Sequence, residues 1–135
     1  MREILFRGKR IDNGEWVFGS LLAWRDGDTD ICCHNSDNNG EMDKVIVRPE
    51  TVGQFTGLTD KNGKKIFEGD ILRFSYTGKN HGVEGTEAVV FKSGKFGVEW
   101  GWHKELVALD GFANTTIEVI GNIHDNPDLL EVEDG

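Results

Sequence analysis

The apolar residues of this chain recur at every second position in short runs that glycine keeps interrupting. No run sustains the i, i+3, i+4, i+7 spacing of an amphipathic helix. Glycine supplies 18 of the 135 residues, roughly twice the usual share of about 7%, against 2 prolines. Short strands joined by tight turns follow, and the expected fold is mainly β, a small barrel or sandwich of short antiparallel strands with one or two short helices. The length suits one domain able to bury a real core.

Residues 2–7 alternate, with Ile4 and Phe6 on one face and Glu3, Leu5 and Arg7 on the other, and read as a strand. Asp12-Asn13-Gly14 then supplies hairpin chemistry. From residue 15 to 24 the period is again two. Trp16, Phe18, Leu22 and Trp24 share one face with Ser20, and Val17, Leu21 and Ala23 share the other with Gly19. Both faces are largely apolar, so this strand is expected to be covered twice, by the core and by another element or subunit. Residues 30–34 return as a strand, residues 35–40 form a polar loop, and Val45-Ile46-Val47 is a β-branched run. Pro49-Glu50-Thr51 starts one helical turn.

Asp60-Lys61-Asn62-Gly63 signals a hairpin linking residues 55–58 to 65–67. Residues 71–75 alternate, and residues 77–85 read as a polar glycine-rich loop. Residues 88–91 and 96–100 form a second hairpin around Ser93-Gly94. A last strand is expected at 116–123, with Ile117, Val119 and Gly121 on one face. Asn126-Pro127 caps a short helix through Leu130. Glu68-Gly69-Asp70 ahead of a strand, followed by the glycine-bounded 89–100 hairpin, resembles the opening of an SH3-like barrel in the C-terminal part.

The formal charge is −9, unevenly distributed. Residues 1–48 hold 7 basic and 9 acidic groups, residues 49–82 hold 5 and 4, and residues 83–135 hold 3 and 11. The resulting charges are −2, +1 and −8. Asp125, Asp128, Glu131, Glu133 and Asp134 make an acidic tail without Lys or Arg. Simple phosphate-backbone binding, which draws on Lys and Arg, is disfavoured for the C-terminal third and less so for residues 1–82. No apolar run is long enough for a membrane helix, and the N-terminus lacks the apolar core of a secretory signal. A cytoplasmic location is expected. Cys32 and Cys33 are adjacent, too close for an unstrained bridge, and are expected as reduced thiols.

Three blocks carry a family resemblance: Met1-Arg2-Glu3-Ile4-Leu5-Phe6-Arg7, then residues 56–71 (Thr-Gly-Leu-Thr-Asp-Lys-Asn-Gly-Lys-Lys-Ile-Phe-Glu-Gly-Asp-Ile), then residues 119–130 (Val-Ile-Gly-Asn-Ile-His-Asp-Asn-Pro-Asp-Leu-Leu). In this order and spanning nearly the whole chain, they resemble the YopX family of phage and prophage proteins. The poorest match is the acidic, Cys-containing insert between Asp26 and Asp43. The resemblance implies a small, mostly β protein of a bacterial host cell, with no established activity and no agreed catalytic residues. On this reading one domain, 1–135, comprises an N-terminal β part (1–48), a signature turn and hairpin (49–69), a barrel-like part (70–124) and the tail (125–135).

The signature block reads first as structure: its glycines sit at bends, and Asp60 bonds forward to its own backbone in an Asx-turn. If it also forms an interaction surface, Asn62, Lys64, Lys65 and Asp70 are its expected exposed members. Trp100 and Trp102 flank Gly101 on one face and, with Phe96, have the stacking potential of a single-strand binder. Only Lys92, Lys95 and Lys104 are basic nearby, and Glu99 and Glu105 offset two of them, so core or oligomer packing is preferred. Asp26, Asp28, Asp30 and Asp37 match positions 1, 3, 5 and 12 of a calcium loop, but Ile31 stands where the sharp turn needs Gly, and the bidentate Glu is missing. A solvated hairpin loop fits better. In Cys32-Cys33-His34, only Cys32 and His34 share a face, and His81, His103 and His124 have no paired spacing, so inert thiols are preferred over zinc.

No catalytic fingerprint is present, neither a Gly-x-Ser-x-Gly elbow nor His-Glu-x-x-His, a phosphate loop or a dinucleotide motif. A small hydrolase ranks last, and no cofactor, metal or membrane partner is expected. The leading expectation is a non-enzymatic interaction protein that forms a homo-oligomer through β surfaces such as the 16–24 strand, with a host or phage protein as a further partner. The alternative is a regulator of nucleic-acid transactions, either binding directly around residues 61–65 or presenting carboxylates that mimic DNA.

Overall fold

A computed structural model describes residues 3–34, 42–77, 82–100, 105–109 and 115–130; for residues 34, 42, 75–77, 82–84, 100, 115 and 116 the backbone alone is described. The strands are antiparallel throughout the recorded pairings, as the alternation predicts. The chain divides into two compact units, Met1–Gly57 and Leu58–Gly135.

In the first unit, β1 (Phe6–Lys9), β2 (Trp16–Ala23), β3 (Thr29–His34) and β4 (Met42–Ile46) follow one another as hairpins. A 3-10 turn at Pro49–Thr51 then leads into β5 (Gly53–Thr59), which pairs with β1 and carries the chain into the second unit. The strand circuit also closes. Arg10 bridges Val47, Ile11 N–H donates to the Ile46 carbonyl at 3.2 Å, and Arg48 N–H donates to the Lys9 carbonyl at 2.8 Å. Closure hides strand edges and encloses Ile31 and Val47, which are fully buried. Gly8 lies against Val47. Arg7 is also buried, its guanidinium carbon 4.6 Å from the centre of the Trp16 ring, where a ring face attracts a cation.

The second unit holds β6 (Lys65–Phe67), β7 (Asp70–Thr77), β8 (Gly82–Ala88), β9 (Val90–Lys92), β10 (Lys95–Trp100), β11 (Glu105–Ala108) and β12 (Thr115–Asn122), then a 3-10 turn at Pro127–Leu130. Two three-stranded sheets result, β12-β7-β8 and β11-β10-β9. Val89 alone separates β8 from β9, and it donates to Asp70 at 2.8 Å and accepts from Gly69 at 2.9 Å. The chain thus passes between sheets without orphaning a backbone group. Ile66, Leu72, Phe74, Val89, Val98 and Leu109 form the core, with Phe96, Ile117 and Val119 packed against it. Burying each such side chain is worth about 1.5–3 kcal/mol.

Several expectations are corrected. The first strand begins at Phe6 rather than residue 2, because its register is set by Phe6 opposite Gly19 and Lys9 opposite Trp16. Residues 82–85 belong to β8, not to a loop: pairing with β7 from Ile71–Ala88 to Thr77–Gly82 holds this glycine-rich segment extended. The strand β11 carried too short a pattern to be recognised. A register shift between Val119 and Gly121 sets Gly121 opposite Ile71 instead of continuing the Ile117–Val119 face. Asn126 Oδ1 accepts the upstream Asn122 N–H at 3.3 Å in place of the expected forward cap. Among the described residues the outer face of β2 is covered only in part: Arg7, in register opposite Phe18, is buried over half-buried Trp16, but Phe18 is 48% exposed and Trp24, just past the strand, 49%.

Candidate functional site

The signature turn is built around one carboxylate. Asp60 Oδ1 accepts the backbone N–H groups of Asn62 at 2.8 Å and Lys64 at 2.9 Å, and its Oδ2 accepts the N–H of Val119 at 3.0 Å. Lys61 N–H donates to the Ile117 carbonyl at 3.0 Å, so the turn is pinned to β12 from both sides. Asp60 is 7% exposed. Burial pushes its carboxyl up, but the N–H groups of Val119, Lys64 and Asn62, helped by the Lys64 charge, outweigh that and hold it below the ordinary carboxylate range. A carboxylate so committed is an anchor, not a proton-transfer group.

What the turn presents outward is basic. Lys61, Asn62, Gly63, Lys64 and Lys65 are exposed, and Glu118 on β12 faces them, 4.0 Å from Lys61 Nζ and 3.5 Å from Asn62 Nδ2. Arg73, exposed on β7, pairs in register with Glu118. Asn62, Lys64 and Lys65 therefore lie on one tip. Asp70 does not join them: it is 2% exposed, and its Oδ2 accepts the Phe67 N–H at 2.7 Å. The expectation of an exposed Asp70 is corrected, because the tight turn through Gly69, with φ of 91°, folds the carboxylate back onto β6. Trp100 lies at the end of β10 opposite Glu105, its side chain outside the described atoms, and Trp102 falls outside the described residues.

The calcium-like spacing serves a hairpin. Asp26 Oδ1 accepts the Asp28 N–H at 2.9 Å, closing an Asx-turn, whereas Asp30 is buried and accepts the Trp24 indole N–H at 3.0 Å. Asp37 lies outside the described residues. Cys32 and Cys33 are free thiols, both half-buried. Burial, then Asp43 and Cys32, pushes the Cys33 thiol up, which suppresses the reactive thiolate. Among the described residues no group of three or more His, Cys, Asp or Glu side chains is placed to hold a metal ion. No helix among them is long and apolar enough to cross a membrane.

Sequence reasoning missed one surface feature. Where the β1–β4 seam ends, a groove of about 350 Å³ opens between Arg10, Ile11, Asp12, Lys44, Val45 and Ile46. Ile11 and Ile46 are 53% and 56% exposed. The available signal was Ile11, an isolated apolar residue just before the Asp12-Asn13-Gly14 turn.

No curated protein shows significant similarity to the chain. Solved structures that share its fold include two from bacteria. Protein EF1440 from Enterococcus faecalis is 25% identical with a TM-score of 0.59, over 97% of this chain and 100% of that one. Protein yopX from Bacillus subtilis is 21% identical with a TM-score of 0.63, over 94% and 98%. The YopX protein family model matches residues 5–131, nearly the whole of both units, and the chain belongs to the YopX family.

Proposed function

We propose that this chain is a non-enzymatic interaction protein of phage or prophage origin that self-associates through the outer face of β2. The observation that carries the reading is the exposure of two large aromatic side chains, Phe18 at 48% and Trp24 at 49%, on or beside one strand, with Ser20 exposed between them. Exposed aromatics spaced along a strand support a protein contact, where such residues are enriched. The buried carboxylates of the signature block support the non-enzymatic part of this reading, since Asp60 and Asp70 are spent on backbone N–H groups. Sedimentation velocity at micromolar concentration tests the reading: a reversible dimer or larger species is expected, and a strict monomer would count against it.

A second reading rests on the exposed Lys61, Asn62, Lys64 and Lys65 tip, a basic surface on an acidic chain that supports direct contact with a phosphate backbone. A gel shift with DNA and RNA, run on the full chain and on a version truncated before Asp125, separates the two. Salt-sensitive retardation lost in Lys64→Glu favours nucleic acid, and no retardation in either version removes this reading.

A further inference from the structure

The groove beside β4 contains an open strand edge whose direction is fixed by its neighbours. Val47 N–H donates to the Thr29 carbonyl at 3.0 Å on the β3 side, whereas the Ile46 carbonyl and Arg48 N–H bond Ile11 and Lys9 on the β1 side. In an antiparallel strand the N–H and C=O of one residue point the same way and alternate sides along the chain. Two positions before Ile46, Lys44 therefore directs both backbone groups toward the β1 side. No β1 residue continues there, because the chain turns away: Gly14 N–H donates to Arg10 at 3.0 Å and Arg10 N–H to Glu15 at 2.9 Å. Among the described residues no strand pairs with the outer edge of β4 at Lys44.

We propose that this groove binds an extended segment of a partner protein by strand addition, a segment whose side chains alternate acidic and apolar. Its backbone continues the β1–β4 ladder, exchanging hydrogen bonds with Lys44 as other peptides do at open sheet edges. Charge selects the acidic positions. Among the described residues Lys44 has no ion-pair partner, while the Arg10 guanidinium is held by Asp12 through Nε at 2.9 Å and Nη2 at 2.8 Å. A carboxylate opposite Lys44 shares its face, and the alternate positions fall on the face of half-buried Val45. The exposed Ile11 and Ile46 close the end of the groove. The proposal rests on the backbone groups of Lys44 and not on the Phe18 and Trp24 side chains, so it does not depend on self-association.

The test is a titration of the full chain with a fluorescein-labelled synthetic peptide, Val-Glu-Val-Glu-Val-Glu, followed by anisotropy and by amide exchange at Lys44. Saturable binding is expected, with exchange of the Lys44 amide slowed about tenfold or more. Lys44→Glu, or a peptide with proline at its central valine, should weaken binding by about tenfold. The proposal is overturned by absence of saturable binding, by binding indifferent to both changes, or by binding that leaves the Lys44 amide unprotected and is lost instead in Lys64→Glu.

Discussion

Asp60 shows how a residue-scale bond network explains a sequence signature. Its forward Asx-turn was legible from Asp-Lys-Asn-Gly alone, but the bond to Val119, 59 residues away, was not, because local spacing carries no information about which strand will lie opposite. Asp60→Ala strands three N–H donors, two in the turn and one on β12. A loss of about 2–4 kcal/mol in urea unfolding is expected. The folded carboxyl lies below its unfolded value, so its contribution is complete above the unfolded pKa of about 4 and is lost as pH falls through the lower folded value. Acid titration of stability should therefore flatten below about pH 4 in Asp60→Asn relative to wild type. Asp70 differs from its expected exposure for the converse reason: a carboxylate next to glycine in sequence reads as solvated, and the backbone turns this one inward onto the Phe67 N–H. For Cys33, whose thiol is pushed up, alkylation by iodoacetamide at pH 7 should run slower than for an unstructured cysteine peptide. Equal rates would contradict the buried-thiol reading.

At the scale of elements, alternation exposed most strands, since a half-buried strand must place apolar residues on one face. It failed for β8, where Gly82 and Gly85 contribute no side chain to a pattern, and for β11, whose four residues are ordered by β10 instead of by their own periodicity. Glycine also marks close backbone approach. A Cβ on Gly19 would collide with the Cys32 carbonyl, and one on Gly97 with that of Val107. Gly19 is where β2 changes partner, from β1 through residue 19 to β3 from residue 20. Gly19→Ala and Gly97→Ala should each cost about 1–3 kcal/mol in chemical unfolding, whereas Gly8→Ala meets only the Val47 side chain and should cost less.

At the scale of the molecule, the charge of −9 resolves into a basic tip at residues 61–65 and an acidic C-terminal third, a partition readable from sequence. Which surfaces stay open was not readable. The two-faced β2 is expected to be covered on both sides, and among the described residues its Phe18 face is covered only in part, Trp16 and Leu22 being half-buried while Phe18 and Trp24 are about half-exposed. The half-exposed Phe18 and Trp24 are the basis for the proposed self-association, whose most direct measurement is sedimentation velocity of the wild type beside Phe18→Glu, with circular dichroism to confirm equal folding. The wild type should sediment as a concentration-dependent dimer or larger species at micromolar concentration, and Phe18→Glu as a monomer. A wild type that is strictly monomeric, or a Phe18→Glu variant that associates as tightly as the wild type, would contradict the account.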